Sequence, residues 1–396
     1  MNKALGTLVV AQFLSAFGDN AILFTVIAIV LKGSTHGNGY VAALQSAFLI
    51  AYIVLTPWVG AWAERWTKPK VLLSANLIKA LGGLSIYLGL EPLAGYAIVG
   101  IGAATYGPAK YGIIPELIAS DRLVKANGWV EGATIAAILI GTVIGAKLAD
   151  YSIEIALLSV IGIYVFSGVA TLVIPGRAGK GASDQPSSWG SLFQWIRLLF
   201  KSQRARHVLL ALSLFWSVAA TLRVVLVAWA PEVLDLKTAT DIAQLTLYLA
   251  IGIVVGAALV PKLIPLEKLR RTRFSAYAMG SLILGLSFTS APLEARIVLF
   301  FIGITGGIFV VPLNAAVQQA GFETIGSGSA VAVQNFFQNG AILLSMGLYT
   351  LAASWGVGPT LTIWVLGLVV WIMTLLVSWH LIWRGRPIGA LFWPPR

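Results

Sequence analysis

The chain has 396 residues, of which 58% are hydrophobic and only 11% are charged. Soluble domains carry about 25% charged residues, so a soluble globular protein is excluded. The absence of cysteine excludes disulfide and thiol chemistry, and the net charge of +12 is distributed as a membrane-topology signal rather than as a nucleic-acid surface.

The first apolar run extends from about Ala4 to Leu31 and contains one charge, Asp19, within "FLSAFGDNAILF". Lys3, an apolar stretch and small residues give it the outline of a leader peptide. The apolar run resumes after Asp19 and Asn20 as "AILFTVIAIVL", so a retained first helix is expected. Further apolar segments follow at 40–62, 70–90, 93–115, 127–149, 152–174, 207–231, 242–262, 274–290, 296–318, 327–353 and 358–383. They are broken at clusters such as "GSTHGNG", "AERWTKPK" and "IASDRLVKANG". They lack the two-residue alternation of a membrane barrel and read as helices. The 14 tryptophans suit a chain with many membrane–water boundaries.

Lysine and arginine set the orientation. Of 27 basic residues, most fall on one side: Lys3, the 65–70 loop, Arg122 and Lys125, the 177–206 segment, the 262–273 loop and the C-terminal arginines. The opposite side has only Lys32, Lys237 and Arg296, while Lys79, Lys110, Lys147 and Arg223 fall within apolar segments. Both termini are therefore expected on the cytoplasmic side.

The longest loop, 175–206, starts with the flexible composition "PGRAGKGASDQPSS". It continues as "WGSLFQWIRLLFKSQRAR", which places Trp189, Leu192, Phe193, Ile196, Leu199 and Phe200 on one helical face. An amphipathic helix on the cytoplasmic leaflet is expected. The loop divides an N-terminal bundle of six helices (1–174) from a C-terminal one (207–396). A shift of 204 residues carries Asp19 onto Arg223 and Lys110 onto Asn314, and sets "GPAKYG" beside "VPLNAA". Parallel six-helix repeats place a binding site between halves near the midplane.

The loop "GAWAERWTKPKVLL" resembles the signature of the major facilitator superfamily, Gly-x-x-x-Asp-Arg-x-Gly-Arg-Arg/Lys. Gly60, Arg65 and Lys70 match, Glu64 replaces the usual Asp, and Thr67 and Lys68 depart from the pattern. The resemblance implies an all-α integral membrane protein with twelve transmembrane helices in two pseudo-symmetric six-helix bundles. It also implies a gating loop at Gly60, Glu64, Arg65, Lys68 and Lys70. The bland alternative is a positive-inside loop. Three stretches of the N-terminal half, "QFLSAFGDNAILFT", "YGPAKYGIIPEL" and "LVKANGWVEGATIAAILIGTVIG", are similar to the bacterial lysophospholipid transporter family. That resemblance implies carriage of lysophosphatidylethanolamine and related lysolipids across the inner membrane, re-acylation by a cytoplasmic acyltransferase/acyl-carrier-protein synthetase, no cofactor and a monomer.

In the superfamily, helices 1, 4, 7 and 10 line the cavity. Asp19 lies about 15 residues into its segment and Arg223 about 16 into its own, which at about 1.5 Å per residue places both near mid-bilayer. Asp19, assisted by Asn20, suits a headgroup ammonium. Arg223 suits phosphate through its planar fork, and Lys110 is a second cation. Tyr106, one turn from Lys110, and Asn314 complete the expected site. The alternative is an ion pair between Asp19 and Arg223. Lys79 and Glu131 read as structural partners or snorkelling groups, and Lys147 with Asp150 as a local pair. Gln334 and Gln338 either line the cavity or join helices, and the glycines of "GTVIGAKLA" and "IGIVVGAA" serve close packing or side openings.

No phosphate-binding loop is present, because "GRAGKGAS" has the wrong spacing. His36, His207 and His380 form no metal motif, and no nucleophile–base arrangement is seen, so an enzyme is not expected. The rival is a proton-coupled exporter of amphiphilic drugs or small zwitterions with Asp19 as its protonation site. Two intramembrane cations, Lys110 and Arg223, fit phosphate better than a cationic drug.

Overall fold

The computed structural model describes residues 3–32, 40–176, 188–236, 239–264 and 266–383. The expected flexible segment falls mostly at 177–187, outside the described residues, as do His36, Lys237 and the C-terminal arginines. Regular structure among the described residues is helical. The helices are α1 (Lys3–Lys32), α2 (Tyr40–Arg65), α3 (Lys68–Tyr87), α4 (Pro92–Gly112), α5 (Ile114–Leu117), α6 (Leu123–Tyr151) and α7 (Ile153–Thr171). They continue as α8 (Trp189–Lys201), α9 (Gln203–Val233), α10 (Ala239–Leu263), α11 (Thr272–Leu286), α12 (Pro292–Glu323), α13 (Ser327–Ser354) and α14 (Pro359–Trp383).

Local chemistry fixes several starts. The Glu91 side chain accepts from the Ala94 N–H ahead of α4, with Pro92 in the first turn, where its missing N–H is no loss. Ser152 and Ser202 cap α7 and α9 in the same way. The 204-residue shift recurs in the helix starts: α3 and α11 begin at Lys68 and Thr272, and α6 and α13 at Leu123 and Ser327.

Among the described residues, α1, α2, α6, α7, α9, α10, α12, α13 and α14 are long and apolar enough to cross a membrane. The expected segments 70–90, 93–115 and 274–290 fall on helices outside that set. Lysines 68, 70 and 79 lower the hydropathy of α3, five glycines and Lys110 that of α4, and α11 has 15 residues. Large apolar side chains such as Leu81, Phe166, Val169 and Leu348 are exposed. Polar Asn76, Lys79, Asn127 and Gln318 are buried. This inside-out polarity suits a hydrocarbon solvent.

The chain forms two compact units, Met1–Leu199 with Val317–Phe336, and Phe200–Ala316 with Phe337–Arg396. Contacts thus group residues differently from boundaries drawn along the chain at 174 and 207: α8 up to Leu199 and the segment 317–336 lie with the first unit. Hydrogen bonds explain the second case. Asn127 and Gln318 exchange a reciprocal amide pair at 2.9 and 2.6 Å, and the Ser327 hydroxyl donates to the Gly112 carbonyl at 2.7 Å. In the first unit α1 packs on α6 and α7, α3 on α4 and α7, and α2 on α4. Ala16, Phe17, Ile22, Val99, Leu157 and Val160 belong to its core. In the second, α14 packs on α9 and α11.

The observed α8 corrects the expected amphipathic face. Its buried line is Leu192, Trp195 and Leu199, while Phe193 is 64% exposed. The Trp195 ring fills the space left at Gly60, where an added Cβ would stand 3.0 Å from it. Trp189 meets Trp58 and Phe336 edge-on at 6.3 and 6.4 Å. Leu192, Trp195 and Leu199 therefore pack on protein, while Trp189, Phe193 and Leu198 stay exposed.

Candidate substrate-binding site

The charged residues of the first unit converge from helices far apart in sequence. Asp19 sits at mid-length of α1, and its carboxylate takes two donors. Lys79 Nζ of α3 lies 2.8 Å from Oδ2, and the Tyr164 hydroxyl of α7 donates to Oδ1 at 2.9 Å. The Lys79 ammonium also donates to Ser15 Oγ at 2.9 Å. It lies 4.8 Å from the centre of the Tyr106 ring and 5.5 Å from that of Tyr164, the arrangement of a cation held against aromatic faces. The Ser15 hydroxyl donates to Asn76 Oδ1 at 2.8 Å, Asn76 donates to Ser167 at 3.2 Å, and Ser167 donates to the Ala11 carbonyl at 2.7 Å. Every step has a partner, as buried polar groups require.

Lys79 is 1% exposed. Its stem runs past Gly102 of α4, where an added Cβ would stand 2.6 Å from Lys79 Cγ. Only glycine leaves room for that crossing. The Asp19 side chain is 22% exposed, so the carboxylate keeps an open side.

Lys110, near the end of α4, is buried with its ammonium 4.0 Å from the centre of the Tyr111 ring. The Tyr111 hydroxyl donates to the buried Glu131 carboxylate of α6. Lys110 and Glu131 thus both lie beside Tyr111. Tyr106 is buried, beside Ser15 and Ser167. Asn20 turns its amide NH₂ to the Ala16 carbonyl at 2.8 Å. In the second unit, Arg223 is an exposed residue of α9 and Asn314 a buried one of α12.

The motif loop forms a second cluster. Lys68 Nζ bridges two carboxylates, Glu64 Oε2 at 3.6 Å and Glu116 of α5. Glu64 Oε1 accepts from the Gly328 N–H in the first turn of α13, where a carboxylate also meets the positive end of the helix dipole. Gly326 has φ +92, and an added Cβ there would lie 2.4 Å from Glu64 Cδ. This turn needs glycine on both counts. The longer Glu in place of the motif's Asp thus reaches a helix start. Gly60 and Lys68 are buried, while Arg65 and Lys70 are exposed.

Asp19 forms its ion pair with Lys79, not with the Arg223 that the sequence had offered as its alternative partner. Lys79 pairs with Asp19, and Glu131 accepts from the Tyr111 hydroxyl. The expected pair of Lys147 and Asp150 is not formed: both are exposed and lie beyond ion-pairing distance. Two neighbours of Asp19 were missed. Lys79 carried a usable signal, since a lone ammonium in mid-helix needs a carboxylate at the same depth. Tyr164 carried none, being 145 residues distant in an apolar helix.

A family model of the Major Facilitator Superfamily matches residues 8–346. The lysophospholipid transporter LplT of Enterobacter sp. (strain 638) is 43% identical over 359 residues, covering 90% of each chain. The lysophospholipid transporter LplT of Citrobacter koseri is 42% identical over 363 residues, again covering 90% of each. Among solved structures, the major facilitator transporter FucP aligns with a TM-score of 0.75 and 16% identity over 95% of this chain and 98% of that one, a likeness of fold alone. The relatives are named as transporters, and their identity holds over nearly the whole length, so the chain belongs to the lysophospholipid transporter family of the major facilitator superfamily.

Proposed function

We propose that this chain moves lysophosphatidylethanolamine and related lysolipids across the bacterial inner membrane to the cytoplasmic side for re-acylation. The observation carrying this reading is the 43% identity to a lysophospholipid transporter over 90% of both chains. It is joined by a carboxylate and an ammonium, Asp19 and Lys110, buried or half-buried in apolar helices. Twelve spans in two six-helix bundles, with cytoplasmic termini, carry out alternating access. Asp19 takes the headgroup ammonium on its open side, assisted by Asn20. Lys110 takes the phosphate, with Tyr106 shaping the wall. Arg223 also takes the phosphate, through its two-pronged donor geometry, and Asn314 is the polar residue at the position matching Lys110. The acyl chain stays in hydrocarbon, which avoids a cost of about 0.8 kcal/mol per CH₂. Gly60, Glu64, Arg65, Lys68 and Lys70 form the gate, with Glu64 holding the start of α13. The chain works as a monomer, and a cytoplasmic acyltransferase/acyl-carrier-protein synthetase consumes the product.

Uptake of radiolabelled lysophosphatidylethanolamine by spheroplasts tests the reading. Wild type is expected to take up the lipid, and Asp19→Asn and Arg223→Ala at equal abundance to lose at least about tenfold, the equivalent of one charge-assisted contact. Wild type without uptake overturns the substrate and favours a proton-coupled exporter. Active variants retain the substrate and overturn the site.

A further inference from the structure

Asp19 is shared before any substrate arrives. Lys79 holds one carboxylate oxygen and Tyr164 the other, and the Lys79 stem is confined at Gly102. A carboxylate has about four lone-pair positions, so two remain for an incoming donor. A headgroup ammonium approaching the open side meets this acceptor with a second ammonium already on it. Attraction to the carboxylate and repulsion from Lys79 then act over comparable distances.

We propose that Lys79 is a specificity-setting residue: it competes with the substrate's ammonium for Asp19 and so sets how strongly headgroups bearing an ammonium are preferred over those lacking one. The proposal rests on Asp19 being the ammonium-reading group. Lys79 does not touch the substrate. It lowers the charge that Asp19 offers, which weakens the hold on an ethanolamine headgroup and leaves a glycerol headgroup nearly unaffected. The Tyr164 hydroxyl acts in the same direction, more weakly, because it donates to the same carboxylate without a net charge. The aromatic faces of Tyr106 and Tyr164, together with Ser15, keep the Lys79 ammonium at this post.

The readout is the ratio of uptake efficiencies for lysophosphatidylethanolamine and lysophosphatidylglycerol, measured on variants of equal abundance. A residue that merely supports the fold lowers both and leaves the ratio alone. Lys79→Gln is expected to raise the ratio at least about tenfold, since one charge a few ångströms away is worth about fivefold in water and more in a protein interior. Tyr164→Phe is expected to raise it about threefold, as for one neutral hydrogen bond within a membrane. Asp19→Asn is expected to lower it below wild type, and the double variant with Lys79→Gln to match Asp19→Asn. An unchanged or lower ratio in Lys79→Gln overturns the proposal. Should that variant fail to accumulate, an unchanged ratio in Tyr164→Phe overturns it instead. If Asp19→Asn itself leaves the ratio at the wild-type value, the ammonium-reading site fails, and the competition with it.

Discussion

In the first unit, α1, α3 and α7 are linked around Lys79 by an ion pair, a tyrosine hydroxyl and a serine–asparagine–serine chain. At the positions 204 residues on, the second unit has Ile283 for Lys79, Gly280 for Asn76 and Leu368 for Tyr164. Ile283 is buried like Lys79. Links described in that unit include Thr221 to Ser345 at 3.0 Å, Trp371 Nε1 to Ser281 at 2.9 Å, the Arg296 guanidinium of α12 to Gln244 of α10 at 2.7 Å, and bare backbone where Gly252 and Gly256 of α10 meet Gly303, Ile304 and Gly307 of α12. One helical plan therefore packs with or without a buried lysine at this position. Buried ion pairs seldom repay their desolvation, so the charges of the first unit are best understood as functional, with a network built to hold them.

The largest expected effect breaks that comparison at the motif cluster. Lys68→Met removes the ammonium bridging Glu64 and Glu116, which face it with side chains only 7% and 10% exposed. Stability of the purified protein is expected to fall by about 3–5 kcal/mol, as when one partner of a buried pair is lost. Thermal unfolding in detergent measures it. A loss no larger than that of a surface substitution would show that these carboxylates do not depend on Lys68.

The glycine seam of the second unit comes next. A Cβ at Gly252 would lie 2.1 Å from the Phe300 carbonyl oxygen, a backbone atom that cannot rotate away. Gly252→Ala is expected to cost about 1–3 kcal/mol through overpacking. Gly162 of α7 has nothing within 4 Å of an added Cβ, and there the same change is expected to be neutral or to stabilise by up to about 1 kcal/mol, since alanine is the better helix former. Equal melting shifts for the two variants would mean that close approach at the seam is dispensable.

What the sequence made legible divides along the same line. Charges inside apolar runs stand out against a 58% hydrophobic background, so Asp19, Lys79, Lys110 and Arg223 are visible at once, and the motif loop is visible by its spacing. The shift relating the repeats was found from two short windows and recurs in the helix starts. Partners were less legible, because they depend on which helices are neighbours. Tyr164 reaches Asp19 across 145 residues, and Gln318 reaches Asn127 across 191. The face of α8 was read correctly at Leu192 and Leu199 but without Trp195, because helical spacing identifies an apolar stripe but not its cover, and Trp195 packs against Gly60. In α3 and α4, the residues that serve the network, lysine and glycine, dilute the hydropathy by which a span is recognised.

The smallest expected effect sharpens the comparison most. Thr221→Val replaces a hydroxyl by a methyl of similar size on α9 and deletes its bond to Ser345 of α13. Ser345 is not orphaned by this, because its hydroxyl also donates to the Ile342 carbonyl at 3.0 Å. The loss should therefore stay near the average for a single hydrogen bond within a membrane, about 0.6 kcal/mol. Ser15→Ala is the counterpart in the first unit. It deletes the acceptor of the Lys79 ammonium and the donor to Asn76 in one step, leaving two polar groups short of a partner in a buried setting. The expected cost is about 2–3 kcal/mol, because unsatisfied buried groups bear their full desolvation penalty. Melting both variants side by side gives the ratio that matters. A Thr221→Val loss equal to that of Ser15→Ala would make the two units energetically alike, and the charged network would then hold helices together no differently from a pair of hydroxyls.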